Sequence, residues 1–239
     1  MVGAISQVQA KHNEQDCLVH GAQLLDEHHL VAWSRNLAFR ERFGLELAWF
    51  LQRLPQTEVV AISGQNIRDI GGLCTEFDHA LTAAAAHTYP GTAHTAASSV
   101  PTHHFHHNHR PMAHTIDGDN GLIAHLRLRS PESAIRGDAD IIKRRYYVWR
   151  DADILLRFDA KLFGQAVDAL CGVSAEAEYA SEDRLLIHRA VFVGGPALDL
   201  YAEDPAGQFR SWLKDSRQQP LWKTISGLKS PPMMRYALV

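Results

Sequence analysis

From residue 83 to residue 117 the chain is built almost wholly of Ala, His, Thr, Ser and Pro, and Arg110 is the one Lys, Arg, Asp or Glu before Asp117. Such a stretch buries too little apolar surface to offset the entropy of ordering it. It predicts a linker or mobile loop, drawn here over residues 87–118, between two small units, 1–86 and 119–239. Both read as α/β or α+β. With 239 residues, 46% of them hydrophobic, the chain has enough apolar surface for two cores.

In the first unit Leu30, Val31, Trp33, Leu37 and Ala38 have near-helical spacing, and Leu45, Leu47, Trp49, Phe50, Leu51 and Leu54 predict a second helix between Phe43-Gly44 and Pro55. Residues 58–63 have the length and apolarity of a strand. Ile67, Ile70, Leu73, Cys74, Phe77 and Leu81 stripe one face of a helix that continues to about residue 86. Residues 17–20 serve as an opening strand. In the second unit, alternation over 122–129 predicts a strand, as do the runs 141–150 and 154–158, the last also compatible with a helix. A helix over 160–170 stops at Gly172. A strand over 185–193, a Gly194-Gly195-Pro196 turn, a short helix around Phe209 and Trp212, and a mostly irregular last twenty residues complete the reading.

Leu18-Val19-His20-Gly21-Ala22-Gln23-Leu24, Leu30 nine residues after Gly21, Phe43-Gly44-Leu45-Glu46-Leu47 and Val59-Val60-Ala61-Ile62 together resemble barstar-like proteins, small α/β inhibitors of ribonucleases. The resemblance covers residues 17–83. It implies a barstar-like fold there and a helix that docks on a protein. The inhibitory helix of that family carries acidic residues, whereas this one presents Ala48, Trp49, Gln52 and Arg53 with Glu46 as its sole carboxylate. Ribonuclease inhibition is therefore a weaker expectation than the fold.

Lys plus Arg number 24 against 27 Asp plus Glu, a net charge of −3, which excludes a polycation for nucleic acid and an acidic mimic alike, so any charged function is local. Three well-separated cysteines, Cys17, Cys74 and Cys171, fit a reducing compartment. No apolar run approaches the roughly 18 residues of a membrane span, and the first twenty residues lack signal-peptide order. A cytoplasmic, bacterial protein that does not enter a membrane is the expectation.

Four groups of residues carry candidate chemistry. Eight of the fifteen histidines fall between residues 87 and 114, five of them being His103, His104, His106, His107 and His109. Imidazoles at such spacing bind zinc or nickel, but neither a carboxylate nor paired cysteines accompany them, and a polar low-complexity loop explains them as well. Asp138 with Asp140, and Asp151 with Asp153, place carboxylates at i,i+2, as a Mg²⁺-dependent transferase requires. No phosphate-cradling G-x-x-x-x-G-K loop accompanies them, and turns attract the same residues.

The run Lys143, Arg144, Arg145, Tyr146, Tyr147, Val148, Trp149, Arg150 interleaves cations with aromatics. A nucleic-acid-binding strand would hold phosphates and stack bases in that way, with Arg145, Tyr147 and Trp149 on one face. An ordinary strand with its aromatics in the core uses the same composition. Trp33, Arg40 and Trp49 are of the residue types that anchor protein interfaces. Cys74, Cys171 and His188 read as core residues, and the Gly194-Gly195-Pro196 turn as a strand end that could approach a ligand. The first expectation is a non-enzymatic interaction or inhibitor-type module binding another protein. Nucleic-acid binding through 143–150 comes second and a transferase using Asp138 and Asp140 third.

Overall fold

The strand residues are buried whichever way they point. In β2 (His29–Trp33), β3 (Thr57–Ser63), β4 (Arg144–Arg150) and β5 (Ile187–Gly194), neighbouring positions such as Leu30 and Val31, Val59 and Val60, Tyr147 and Val148, and Val191 and Phe192 are all in the core. Burial on both sides is the mark of a parallel sheet sandwiched between helices. The computed structural model describes residues 8–9, 14–88, 144–179, 187–212, 223–225, 228–230 and 233–238. It confirms an α/β fold. With the short β1 (Val8–Gln9) and β8 (Met233–Ala237), the strands form one six-stranded sheet in the order β1-β8-β2-β5-β4-β3, every neighbouring pair parallel. Strands β6 (Lys223–Ile225) and β7 (Leu228–Ser230) form a separate antiparallel pair.

Helices α1 (Glu14–Leu24) and α2 (Leu37–Gln52) cover one face, where Phe43, Leu47 and Leu51 pack on Leu30, Val59, Val148 and Val191. The opposite face is covered by α3 (Ile70–Thr88), α4 (Asp153–Phe158), α5 (Ala160–Tyr179), α6 (Pro196–Glu203) and α7 (Gln208–Trp212). There Phe77, Phe163, Phe192, Phe209 and Trp149 make the larger core, with ring centres 5.4 to 6.2 Å apart in tilted pairs and, for Phe163 with Phe192 and Phe209, edge to face. Among the described residues no helix is long and apolar enough to cross a membrane.

Several expectations change here, each for a physical reason. Residues 17–20 lie in α1 and not in a strand, whereas Leu30, Val31 and Trp33, read as helical, are in β2. An apolar run covered on both faces has no period-2 alternation to betray it. Gly44 sits inside α2 and not in a loop: a Cβ there would come within 2.8 Å of Arg150 Cγ, so the glycine lets the helix seat on that side chain. Helix α5 continues through Gly172, a tolerated cost of about 1 kcal/mol. Residues 154–158 are helical. The tail supplies β8, next to β2 near the middle of the sheet.

The boundary drawn between residues 1–86 and 119–239 runs across this sheet. Strands β2 and β3 of the first stretch do not touch each other; β5 and β4 of the second lie between them. The expected strand over 122–129 and most of the expected linker fall outside the described residues.

Candidate functional site

The connections decide where a crevice opens. The chain leaves β2 through α2 on one face and reaches β3 at the far edge, then returns through β4 and β5 by way of helices on the other face, and passes from β5 through α6 and α7 toward β8. Adjacent strands β2 and β5 therefore send their carboxyl ends to opposite faces. In open α/β sheets the ligand crevice lies at such a switch point, beyond the carboxyl ends of the strands.

Three short segments meet at this switch point. Strand β2 ends at Trp33, in register with Gly194 of β5, and Ser34 N–H donates to Gly194 O at 3.2 Å. Asn36 then caps α2, its Oδ1 accepting from Phe39 N–H at 3.2 Å, which brings Arg40 into the first turn. Strand β5 ends in Gly194 and Gly195, the latter capping α6 with Pro196 at its first position. Strand β4 ends at Arg150, followed by Asp151 with φ +52° and the α4 residues Asp153 and Arg157.

Arg40, Asp153 and Arg157 meet over Gly195. A Cβ on Gly195 would lie 2.6 Å from Arg40 Nη1, 2.9 Å from Asp153 Oδ2 and 3.5 Å from Arg157 Nη2. The glycine has φ −87°, so space and not backbone conformation demands it. Asp153 is 1% exposed. Its Oδ2 accepts from Arg157 Nη2 at 2.7 Å, while its Oδ1, pressed against Gly194, has no hydrogen-bond partner. Arg40 and Arg150 are half-buried, their Nε atoms are inaccessible and unpartnered, and neither side chain makes an ion pair with any described residue. The aliphatic part of Arg150 crosses α2 at Gly44, one turn after Arg40. A partly buried cation without an ion-pair partner is costly, and Arg40 stands beside the amino terminus of α6, itself partly positive.

The two aspartates of the Asp151-Ala-Asp153 pair part company. Asp151 turns toward β3 and accepts from Gln65 Nε2 at 3.3 Å, Asp153 toward β5, so they do not share an ion; the strand on which i,i+2 carboxylates would align has already ended. No group of three metal-ligating side chains occurs among the described residues. Asp138, Asp140 and the five clustered histidines lie outside them.

The cation–aromatic run is the strand β4 itself. Arg145, Tyr147 and Trp149 are 3%, 1% and 0% exposed, and Tyr146 is buried on the opposite face. Arg145 pairs with Glu58 across the β3–β4 register. Side chains enclosed by helices on both faces offer nothing to a base or a phosphate, which corrects the nucleic-acid reading for these three. Arg144 and Arg150 end the strand half-buried, and Lys143 lies outside the described residues. Of the interface candidates, Trp33 and Arg40 belong to the crevice. Trp49 is on the outer face of α2, 54% exposed, with the Arg53 guanidinium 3.4 Å from its ring centre.

The amino ends of the strands hold a second polar cluster. His29 Nδ1 accepts from Ala190 N–H at 2.9 Å, so its proton is on Nε2, and its ring stands perpendicular to that of Trp212 with ring centres 6.0 Å apart. Burial, then the charges of Arg189, His28 and His188, hold its pKa well below the usual histidine value. His188 is lowered likewise by burial, then by Arg145 and Arg189. Arg189 donates to the carbonyls of His188 at 2.7 Å and Asp26 at 2.9 Å. A groove of about 430 Å³ between α5 and α6–α7 has its polar groups spent on each other: Tyr201 Oη accepts from Gln208 N–H at 2.9 Å, and Asp168 accepts from Gln208 Nε2 and from Trp212 Nε1.

No protein-family model, curated protein or solved structure matches the chain.

Proposed function

We propose that this chain is a binding protein for a small anionic ligand, held in the crevice between β2 and β5. The observation that carries the reading is that Arg40 and Arg157 meet at Gly195, at the carboxyl edge of a parallel sheet where Arg150 ends the neighbouring strand, and that Arg40 and Arg150 make no ion pair with a described residue. An anion there bonds charged donors and faces a helix amino terminus. A cytoplasmic setting belongs to this reading, supported by the free thiols of Cys74 and Cys171. Isothermal titration with inorganic phosphate tests it: the full chain should bind, and Arg40→Gln should weaken binding at least tenfold, because a hydrogen bond to a charged group contributes about 1.5–3 kcal/mol. Equal binding by both would remove the basis of the reading.

A second reading, docking on another protein, is favoured by one surface. Leu37, Leu45 and Trp49 on the outer side of α2 are 52%, 53% and 54% exposed, and Arg42 and Arg53 flank them. Pull-down from the native host with wild type and Trp49→Ala tests it: a stoichiometric partner lost with the variant supports docking there, and retention of the same proteins by both excludes it.

A further inference from the structure

The polar cluster at the amino ends of the strands plays no part in the anion crevice, and at its centre is a hydrogen bond that one proton abolishes. Pairing of β2 with β5 begins at Leu30 and Val191. One residue earlier the Ala190 N–H is taken by a side chain, that of His29, whose Nδ1 accepts it at 2.9 Å. We propose that His29 is an acid-sensitive latch: a proton on its Nδ1 opens this end of the β2–β5 ladder and releases α7 from the core while the rest of the sheet stays folded.

Geometry fixes the sense of the switch. A neutral imidazole accepts a hydrogen bond, whereas a protonated one carries N–H groups on both nitrogens, so protonation sets a donor against the Ala190 donor. The His29 side chain is fully buried, and its Nε2 has no hydrogen-bond partner among the described residues. Burial, then Arg189 and His188 of β5 and His28 of the preceding loop, all disfavour a charge on it. The carboxylates of the surrounding elements are engaged elsewhere. Glu58 of β3 pairs with Arg145 of β4, Asp199 and Glu203 of α6 pair with Arg235 of β8, and Asp168 of α5 accepts from Gln208 and Trp212. Asp26 and Glu27 of the loop are exposed. A cation in that position is costly, so the charge forms when water reaches the ring.

The way to water is past α7. Within the sheet His29 lies between β5, through Ala190, and Met233 of β8; across the face its ring stands perpendicular to that of Trp212, with centres 6.0 Å apart. Helix α7 has five residues and rests on the core through Phe209 and Trp212, so it can leave without unpairing a strand, a local opening of the kind that precedes global unfolding. Solvated histidine takes up a proton below about pH 6.5. The latch is therefore shut above that pH, and below it the ratio of open to closed rises about tenfold per pH unit.

Tryptophan fluorescence and far-UV circular dichroism of the full chain from pH 7.5 to 4.5 test this on wild type, His29→Asn and Trp212→Phe. The Asn amide oxygen also accepts a hydrogen bond and does not titrate. Wild type should shift its emission to longer wavelength, with a midpoint below about pH 6.5, while its circular dichroism changes by no more than one short helix; both variants should lack the shift. A shift that persists in either variant, emission and circular dichroism that collapse together, or an unchanged wild-type emission overturns the proposal. Hydrogen exchange of the Ala190 amide in wild type gives a check that needs no variant: corrected for the intrinsic rate, its protection should fall with the midpoint of the emission shift, and an Ala190 amide that stays protected through that shift overturns the proposal equally.

Discussion

Both ends of the central sheet bury arginines, but they treat them differently. At the amino edge Arg145 meets Glu58 and Arg189 is held by two carbonyls; on the face of β8, Arg235 meets Asp199 and Glu203. At the carboxyl edge Arg40 and Arg150 make no ion pair with a described residue; an unpartnered buried Nε is common to them and to Arg189 and Arg235, so the difference lies in the missing carboxylate or carbonyl partner. A buried charge with its partner present is part of the architecture, whereas one without a partner marks a place where the partner arrives from outside. The amino edge is therefore read as structural and the carboxyl edge as functional.

The largest expected effect breaks the structural end. Glu58→Ala strips Arg145 of its carboxylate at a site where both side chains are at most 3% exposed, and urea unfolding should show a loss of about 3–5 kcal/mol. Acid comes next. Because His29 and His188 have pKa values below the ordinary one in the fold, they stay neutral while the unfolded chain takes up protons below about pH 6.5. Their contribution is complete above that pH and is lost as the pH falls, at about 1.4 kcal/mol per unit for each histidine. Urea midpoints at pH 7.5 and 5.5 measure this; a midpoint that rises on acidification contradicts it. At the functional end Gly195→Ala should lower stability by about 1–3 kcal/mol through overpacking against Arg40 and Asp153 and abolish phosphate binding. The smallest effect sharpens the comparison most: Arg40→Leu should leave stability unchanged or raise it by up to about 1 kcal/mol, seen as an unaltered or higher urea midpoint, while phosphate affinity falls.

How much of this the sequence discloses follows from which signals survive burial. Strands β3, β4 and β5 and helices α3 and α5 were legible because apolar runs of strand length and stripes of helical period are local properties. Strand β2 was not: His29-Leu-Val-Ala-Trp33, covered on both faces, has no alternation, and its four apolar residues also fit a helix turn. The sheet order was illegible because the partners of β2 are β5 and β8, more than 150 residues away along the chain. Within the site, Arg40, Trp33, Arg150, Asp153 and the two glycines were each visible singly, and Arg157 was not singled out. What joins them is the switch between β2 and β5, which no local pattern encodes. Gly194-Gly195-Pro196 after a strand was the nearest sequence sign of it. The composition of the interleaved run of β4 fits a nucleic-acid-binding strand and an ordinary core strand alike, and its aromatics lie in the interior.

The most direct test of the contrast between the two ends is the urea unfolding midpoint of wild type and Arg40→Gln in phosphate and in chloride at matched ionic strength. Phosphate strengthens apolar burial in any protein, so the common shift is non-specific and the difference between the variants reports the site. The account predicts a larger rise in phosphate for wild type than for Arg40→Gln, growing with phosphate concentration as binding to the folded state requires. An identical rise in both would mean that the unpaired arginines at the carboxyl edge await no anion.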